Sequence, residues 1–377
     1  MALFFVVTAC FTILPYSDGD IRLYEMVYDS ILKTPNISFW DILSSFSVET
    51  GNFEIYIPLN VYLVSRFSDN IAYSYALTGL VYFFAWANII TQLFREYNSK
   101  KLENSRLLFY LLISFSIYIL LFRVVNGRFY LAYWISIMSI YQILYNKKKQ
   151  YYLFLVLSIL IHQAFGFLVA IFALFQLSSF LFKYKYFDTF FIGLFILGTI
   201  NSELSIDFAR QNLEAIVGGN NYTDYLKDSY IQGLNEREKK WFLTLRTPLL
   251  FYTGYLLLLR LRYFKKILIS DNNYLLFKFV LVFSAINAWT LNIPSFGERF
   301  RNVLIGFLLL LILKIYLDNK RVSFKYHLIL LLVAFSFYKL VTLRVFSEYI
   351  NLYAFFPLNL LFNSFDEEGF ALFDLFS

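Results

Sequence analysis

A chain of 377 residues that is 59% hydrophobic, 22% aromatic and only 16% charged falls well short of the roughly 25% charge of an ordinary soluble domain, which excludes a water-dissolved globule. The lone cysteine, Cys10, excludes an internal disulfide, and with His162 and His327 as the only histidines a structural Cys/His zinc site is excluded as well. The net charge of +7 does not argue for nucleic acid, because Lys and Arg fall in short tracts between apolar runs, where membrane topology accounts for them.

Apolar runs bounded by charge predict helices over 2–16, 70–94, 106–122, 128–146, 150–163, 165–182, 187–201, 243–260, 273–293, 300–317 and 326–344. The expected fold is all-α: a polytopic transmembrane helical bundle of about 10–12 spans, forming a single integral membrane domain over residues 1–377. The first run lacks a basic leader and a small-residue cleavage pattern, so it is expected to stay as a span although it is shorter than the ~20 residues of a full crossing. The segment 53–67, with Pro58 and Asn60 inside it, is expected to lie along or dip into one face. Residues 202–242 read as an extracytoplasmic loop of two short amphipathic helices. Ile206, Leu213 and Ile216 are spaced helically there, and a Gly218-Gly219-Asn-Asn break precedes Tyr222-Thr-Asp-Tyr225.

Basic clusters at Lys100/Lys101, Lys147/Lys148/Lys149, Lys183/Lys185, Arg260/Arg262/Lys265/Lys266 and Lys320/Arg321/Lys325 recur at alternate loops and assign those loops to the cytoplasm. The opposite side then receives 17–69, 123–128, the His162 turn, 202–242, 294–299 and the tail after Arg344, with the helices flanking His162 forming a shallow hairpin. Arg123, Arg128, Arg246, Arg299, Arg301 and Arg344 all fall at outer helix ends, where topology does not call for them. An ionisable group at membrane depth costs at least ~2.5 kcal/mol unless something pairs with it. An anion at the outer face supplies that pairing. Phosphate suits guanidinium because the planar fork donates two parallel hydrogen bonds and keeps its charge, and several arginines in one cavity suggest a diphosphate.

Five motifs stand in order along the chain. They are Asp18-Gly-Asp20-Ile-Arg-Leu-Tyr24 followed by Tyr28; Glu49-Thr-Gly51-Asn-Phe-Glu-Ile-Tyr-Ile-Pro-Leu-Asn60; and Arg128-Phe-Tyr-Leu-Ala132 with Lys147-Lys148-Lys149 and His162-Gln163-Ala164 after it. Glu298-Arg299-Phe300-Arg301 and Phe356-Pro357-Leu358-Asn359 complete the series. Across most of its length the chain resembles the EpsG family of Wzy-type polysaccharide polymerases, bacterial enzymes that extend O-antigen, capsule or exopolysaccharide chains on a lipid carrier. Phe129-Tyr130 departs from the Gln-Gly or similar pair that the family often carries after its first arginine.

The resemblance implies a GT-C-like membrane glycosyltransferase in the bacterial cytoplasmic membrane that works at the outer face without metal or other cofactor. Its partners would be undecaprenyl-diphosphate-linked glycans, as donor and acceptor, and membrane lipid, with a chain-length regulator as a further partner. Arg128 would grip the diphosphate, unless it snorkels or pairs with an outer-loop carboxylate such as Glu203 or Asp207. Arg299 would act with it, oriented by Glu298, and Arg123, Arg301 and Arg344 would contact substrate. His162 is the expected general base, since an imidazole near arginines is pushed toward its neutral form; the alternative is a structural histidine bonded to a neighbouring carbonyl. Asp20 and Glu49 are alternative bases or sugar ligands. Tyr222 and Tyr225 would stack on sugar faces or belong to an interfacial aromatic belt. Competing functions are a polysaccharide flippase or transporter, for which the chain lacks an internal repeat, an O-antigen ligase with a similar arginine-rich cavity, and an O-acyltransferase, which needs access to a cytoplasmic acyl donor.

Overall fold

The computed structural model describes residues 20–34, 36–50, 53–99, 105–119, 128–184, 186–201, 241–264, 271–291, 293, 296–318 and 325–346. The expected first span, Arg123, the loop 202–242 with Tyr222 and Tyr225, and the motif at 356–359 lie outside them. Asp20 opens the first helix and Arg344 stands near the end of the last; their side chains also lie outside what is described.

The described residues form α-helices, short 3₁₀ and π turns, and no strand. In chain order the helices are α1 (Asp20–Lys33), α2 (Phe39–Thr50), α3 (Tyr56–Ser65), α4 (Ala72–Ser99), α5 (Ser105–Ser116), α6 (Arg128–Leu144) and α7 (Tyr151–Ile161). After them come α8 (Phe165–Leu177), α9 (Phe187–Ile200), α10 (Trp241–Leu259), α11 (Asp271–Thr290), α12 (Phe296–Asp318) and α13 (Lys325–Phe346). Among the described residues, four stretches are long and apolar enough to cross a membrane: Ala72–Ser99, Phe165–Lys183, Asp271–Thr290 and Phe296–Asp318. Tyr56–Ser65, Arg106–Ser116, Tyr151–Ile161, Phe187–Ile200 and Tyr326–Thr342 are apolar but shorter. Several of the expected spans are shortened by polar residues. α7 stops at His162, and the run expected to reach 122 leaves the helix after Ser116, whose hydroxyl bonds back to the Leu112 carbonyl at 2.7 Å.

Within 17–69, where only 53–67 was expected to lie along or dip into one face, the chain folds as α1, α2 and α3, the last inside that segment. α1 and α2 interrupt their apolar residues with polar ones, so a search for apolar runs passes over them. α2 is started by Ser38, whose Oγ accepts the Asp41 N–H at 3.2 Å while donating to the Asp41 carboxylate at 2.6 Å. α3 has 10 residues, about 15 Å of helix, half of what a ~30 Å hydrocarbon core requires. Together they bury Tyr24, Val27, Ile31, Ile42, Phe46, Ile57 and Val61 against Tyr75 of α4. At the seam Thr78 meets the hydroxyls of Tyr24 at 3.0 Å and Tyr56 at 2.9 Å, and Asn60 donates to Thr78 Oγ1 and the Ser74 carbonyl, both at 3.0 Å. This bonding holds the start of α3, and hence the residues just before it, in register with α4.

The main core is organised around α12, buried almost continuously from Asn302 to Leu317 and packed against α5, α6, α10 and α11. Gly306 sits where α6 comes closest. A Cβ there would run into the Tyr133 hydroxyl, so only glycine lets the two helices reach this separation. Gly297 plays the same part at the helix start, where a Cβ would strike the backbone carbonyls of Thr290 and Leu291. α9 packs along α11, α10 along α13, and α6 along α7.

Two ends of the bundle differ in chemistry. At one lie the starts of α6 and α12 and the α7–α8 turn, and with them Arg128, Arg299, Arg301 and His162; this is the arginine end. Toward the other, lysines are buried beside carboxylates: Lys314 of α12 pairs with Glu96 of α4, and Lys278 of α11 with Asp188 of α9. Gln142 donates to Asn88 at 2.5 Å and Asn146 to Gln92 at 3.1 Å nearby. A buried charge left alone in such surroundings is strongly destabilising, so each pair ties two helices into one register. α6 closes there at Lys147, which takes φ of 55° and donates its Nζ to the Leu144 carbonyl at 2.8 Å.

Candidate functional site

At the arginine end, segments distant in sequence are stitched together by backbone bonds. The Ile55 N–H donates to the Leu160 carbonyl at 3.0 Å, and the Gln163 N–H donates to Glu54 Oε1 at 3.1 Å. These bonds seat the strand of chain before α3 on the α7–α8 hairpin, and they place Glu54 with its side chain 1% exposed. Glu54 forms an ion pair with Arg128, the first residue of α6, whose side chain is 7% exposed. Arg128 is therefore paired with Glu54. Glu203 and Asp207, the carboxylates considered from sequence, lie outside the described residues.

His162 lies 3.5 Å from Glu54, Nδ1 to Oε1, and its Nδ1 accepts the Ala164 N–H at 3.3 Å. A ring nitrogen that accepts an amide hydrogen carries its lone pair there, so the neutral ring has its proton on Nε2. The histidine is thus bonded to its own turn through the Ala164 N–H. The arrangement has a second chemical consequence. A proton added at Nδ1 would lie beside a buried carboxylate placed to stabilise the imidazolium.

Phe129 separates this trio from the start of α12. Its ring stands edge-on to the His162 ring at 5.5 Å, and the Arg299 guanidinium carbon lies 5.8 Å from its centroid, within cation–π range. Phe165 and Phe300 complete the wall at 4.9 and 5.6 Å from Phe129. Phe129, the residue after Arg128, thus stands as an apolar partition in the site.

Arg299 and Arg301 lie two positions apart, about 200° around the helix, and so turn to opposite sides of α12. Arg299 is exposed beside α6; Arg301 is half-buried and faces Tyr252 of α10 and Glu298. Glu298 approaches Arg246 of α10, Oε1 to Nη2 at 3.8 Å, and Thr247 Oγ1 at 3.5 Å. The expectation that Glu298 orients Arg299 is corrected accordingly: the helix turn carries its carboxylate to the α10 side. Glu49 is exposed at the end of α2, apart from this cluster.

The carboxylate of consequence was Glu54, inside the same motif. It stands between Phe53 and Ile55-Tyr-Ile, and an acid within apolar neighbours needs a partner, which is the signal that could have found it. Lys339 was passed over for a similar reason. It lies inside an expected span, is buried, and donates to the Tyr118 carbonyl at 2.6 Å. Beside it Asn302 Oδ1 accepts the hydroxyls of Tyr118 at 3.1 Å and Tyr338 at 3.3 Å. Among the described residues no group of three or more His, Cys, Asp or Glu side chains gathers in a way that could hold a metal ion.

No protein-family model, no curated protein and no solved structure matches this chain.

Proposed function

We propose that the protein is a membrane glycosyltransferase that joins polyprenyl-diphosphate-linked oligosaccharide units into polysaccharide, on a bundle of about 10–12 spans whose arginine end faces away from the cytosol. The observation that carries this reading is the convergence of Glu54, Arg128 and His162 across Phe129 from Arg299, at one end of an apolar helical body. Cations gathered around an imidazole at the end of an apolar body suit a reaction that releases a diphosphate and takes up a proton.

In this reaction a hydroxyl of the acceptor glycan attacks the anomeric carbon of the donor. The new C–O bond forms as the bond from that carbon to the diphosphate oxygen breaks, and the lipid diphosphate departs with the bonding pair. The hydroxyl proton passes to His162, where the Glu54 carboxylate stabilises the resulting cation. The arginines at this end offset the charge that develops on the leaving group, and such preorganised charge in a water-poor site is usually the largest catalytic contribution.

The test is a deletion strain complemented with His162→Gln. Polysaccharide gels are expected to collapse from a ladder to a single-repeat rung, with the protein still in the membrane. A full ladder would refute the role of His162. Purified protein that forms polymer from substrate already on the outer leaflet would separate this reading from a flippase, and transfer of a finished polymer to another lipid without elongation would identify a ligase.

A further inference from the structure

We infer that the phosphorylated group is held by Arg246 and Arg301, between α10 and α12, and that Arg128 positions the site without binding the anion. The inference rests on the proposed reaction only for the identity of the bound molecule; the anion site itself stands on charge and burial.

Arg128 has a matched partner. Glu54 is as buried as Arg128 and pairs with it directly, so an incoming anion would have to displace a carboxylate that also receives the Gln163 N–H. Across α12 the balance is different. Among the described residues Arg246 and Arg301 share one carboxylate, Glu298, whose side chain is 44% exposed and which comes no nearer to Arg246 than 3.8 Å. That distance is beyond a hydrogen bond. The Nε and Nη1 of Arg246 and the Nε of Arg301 are buried and donate no hydrogen bond among the described residues. Among the described residues, two cations against one half-solvated anion leave an excess positive charge between apolar helices, with buried N–H groups.

The ligand class follows from the donors. Guanidinium forks bind paired oxygens of phosphoryl groups bidentately, and Thr247, bonded to Glu298 from the adjacent position on α10, adds a hydroxyl. Pro248 follows at once inside the helix. It has no N–H to give to the preceding turn, so one rung of the α10 ladder is absent where Arg246 and Thr247 stand. Gly297 places the opposite wall, because the close approach it permits sets where α12 begins. A phosphorylated lipid carrier and a bilayer phospholipid headgroup share this chemistry, and the experiment must distinguish them.

Titration calorimetry of inorganic pyrophosphate into the purified full-length protein in neutral detergent tests the assignment. The wild type is expected to bind, and Arg246→Gln and Arg301→Gln each to weaken binding at least about tenfold, the loss of charge-assisted hydrogen bonds. Arg246→Lys, which keeps the charge and loses the fork, should fall between, and serves if the glutamine variant does not fold. Lys149→Gln, at the exposed turn between α6 and α7 at the opposite end of the bundle, should bind as the wild type does. Absence of pyrophosphate binding by folded wild type, or unchanged binding in both Arg246→Gln and Arg301→Gln, overturns the inference. So does displacement of pyrophosphate by phosphatidylglycerol in nanodiscs, which would make this a headgroup site. Polymer formation by a protein that fails to bind pyrophosphate refutes the site and leaves the polymerase reading standing. Binding that depends on both arginines, in a protein that forms no polymer, supports the site and refutes that reading.

Discussion

Breaking the Glu54–Arg128 pair one side at a time should cost far more than replacing both partners together. The side chains are 1% and 7% exposed, so Arg128→Met strands a carboxylate in apolar surroundings and Glu54→Leu strands a guanidinium. Each single loss of a buried ion-pair partner is expected to cost about 3–5 kcal/mol. The double replacement Glu54→Leu with Arg128→Met removes both charges and fills similar volume, which is often neutral for buried pairs. Its remaining penalty is the Gln163 N–H, which loses its acceptor, at about 1–3 kcal/mol. The double variant should therefore be more stable than the sum of the singles by several kcal/mol, on the order of 4. Glu54→Gln separates the contributions, because its amide oxygen keeps the Gln163 bond while the charge is lost. Unfolding in mixed micelles with increasing fraction of denaturing detergent, followed by tryptophan fluorescence, measures the cycle. Singles that each cost under about 1 kcal/mol and simply add would show that the pair is solvent-screened in the manner of a surface salt bridge, and would refute the argument that it anchors the site.

At the opposite end, Glu96→Gln should destabilise more than Lys314→Met, since Lys314 is fully buried and Glu96 is 27% exposed; the expected costs are about 3–5 and about 1–2 kcal/mol, and equal losses would deny the difference in burial. Gly306→Ala should destabilise by about 1–3 kcal/mol through overpacking, with partial rescue by Tyr133→Phe, which removes the hydroxyl in its way; a neutral Gly306→Ala would show that α6 and α12 separate easily. In a Cys10→Ser background, a cysteine at Lys148 should react only with reagents applied from the cytosolic side and one at Phe67 only from the other, both side chains being exposed; the reverse pattern would overturn the orientation.

Much of the helical plan was legible because apolar runs and helices share their boundaries where the chain enters and leaves a hydrocarbon-like environment. The runs expected at 128–146, 165–182 and 187–201 correspond closely to α6, α8 with its 3₁₀ extension, and α9. The same criterion could not see α1 and α2. Their stability comes from packing one face against α3 and α4, and a half-polar sequence carries no long apolar stretch. Among site residues, Arg128 and His162 were legible as ionisable groups at the mouths of apolar segments, where an unpaired charge is costly. Their partner was missed, because the apolar neighbours Phe53 and Ile55 mark Glu54 as an acid in need of a partner but do not say which remote cation it meets.

Composition and the placement of charge were sufficient to determine an apolar helical protein with cations gathered at helix ends, since desolvation is a property of each residue type and needs no knowledge of its neighbours. Pairing was a matter for the tertiary structure alone. Glu54 belongs to Arg128 and His162, Glu298 to Arg246 and Arg301, and Arg299 to the face of Phe129, because helix rotation and the close approaches at Gly297 and Gly306 set which side chains meet. Electrostatic partnership depends on distance, and distance between remote residues exists only once the helices have packed.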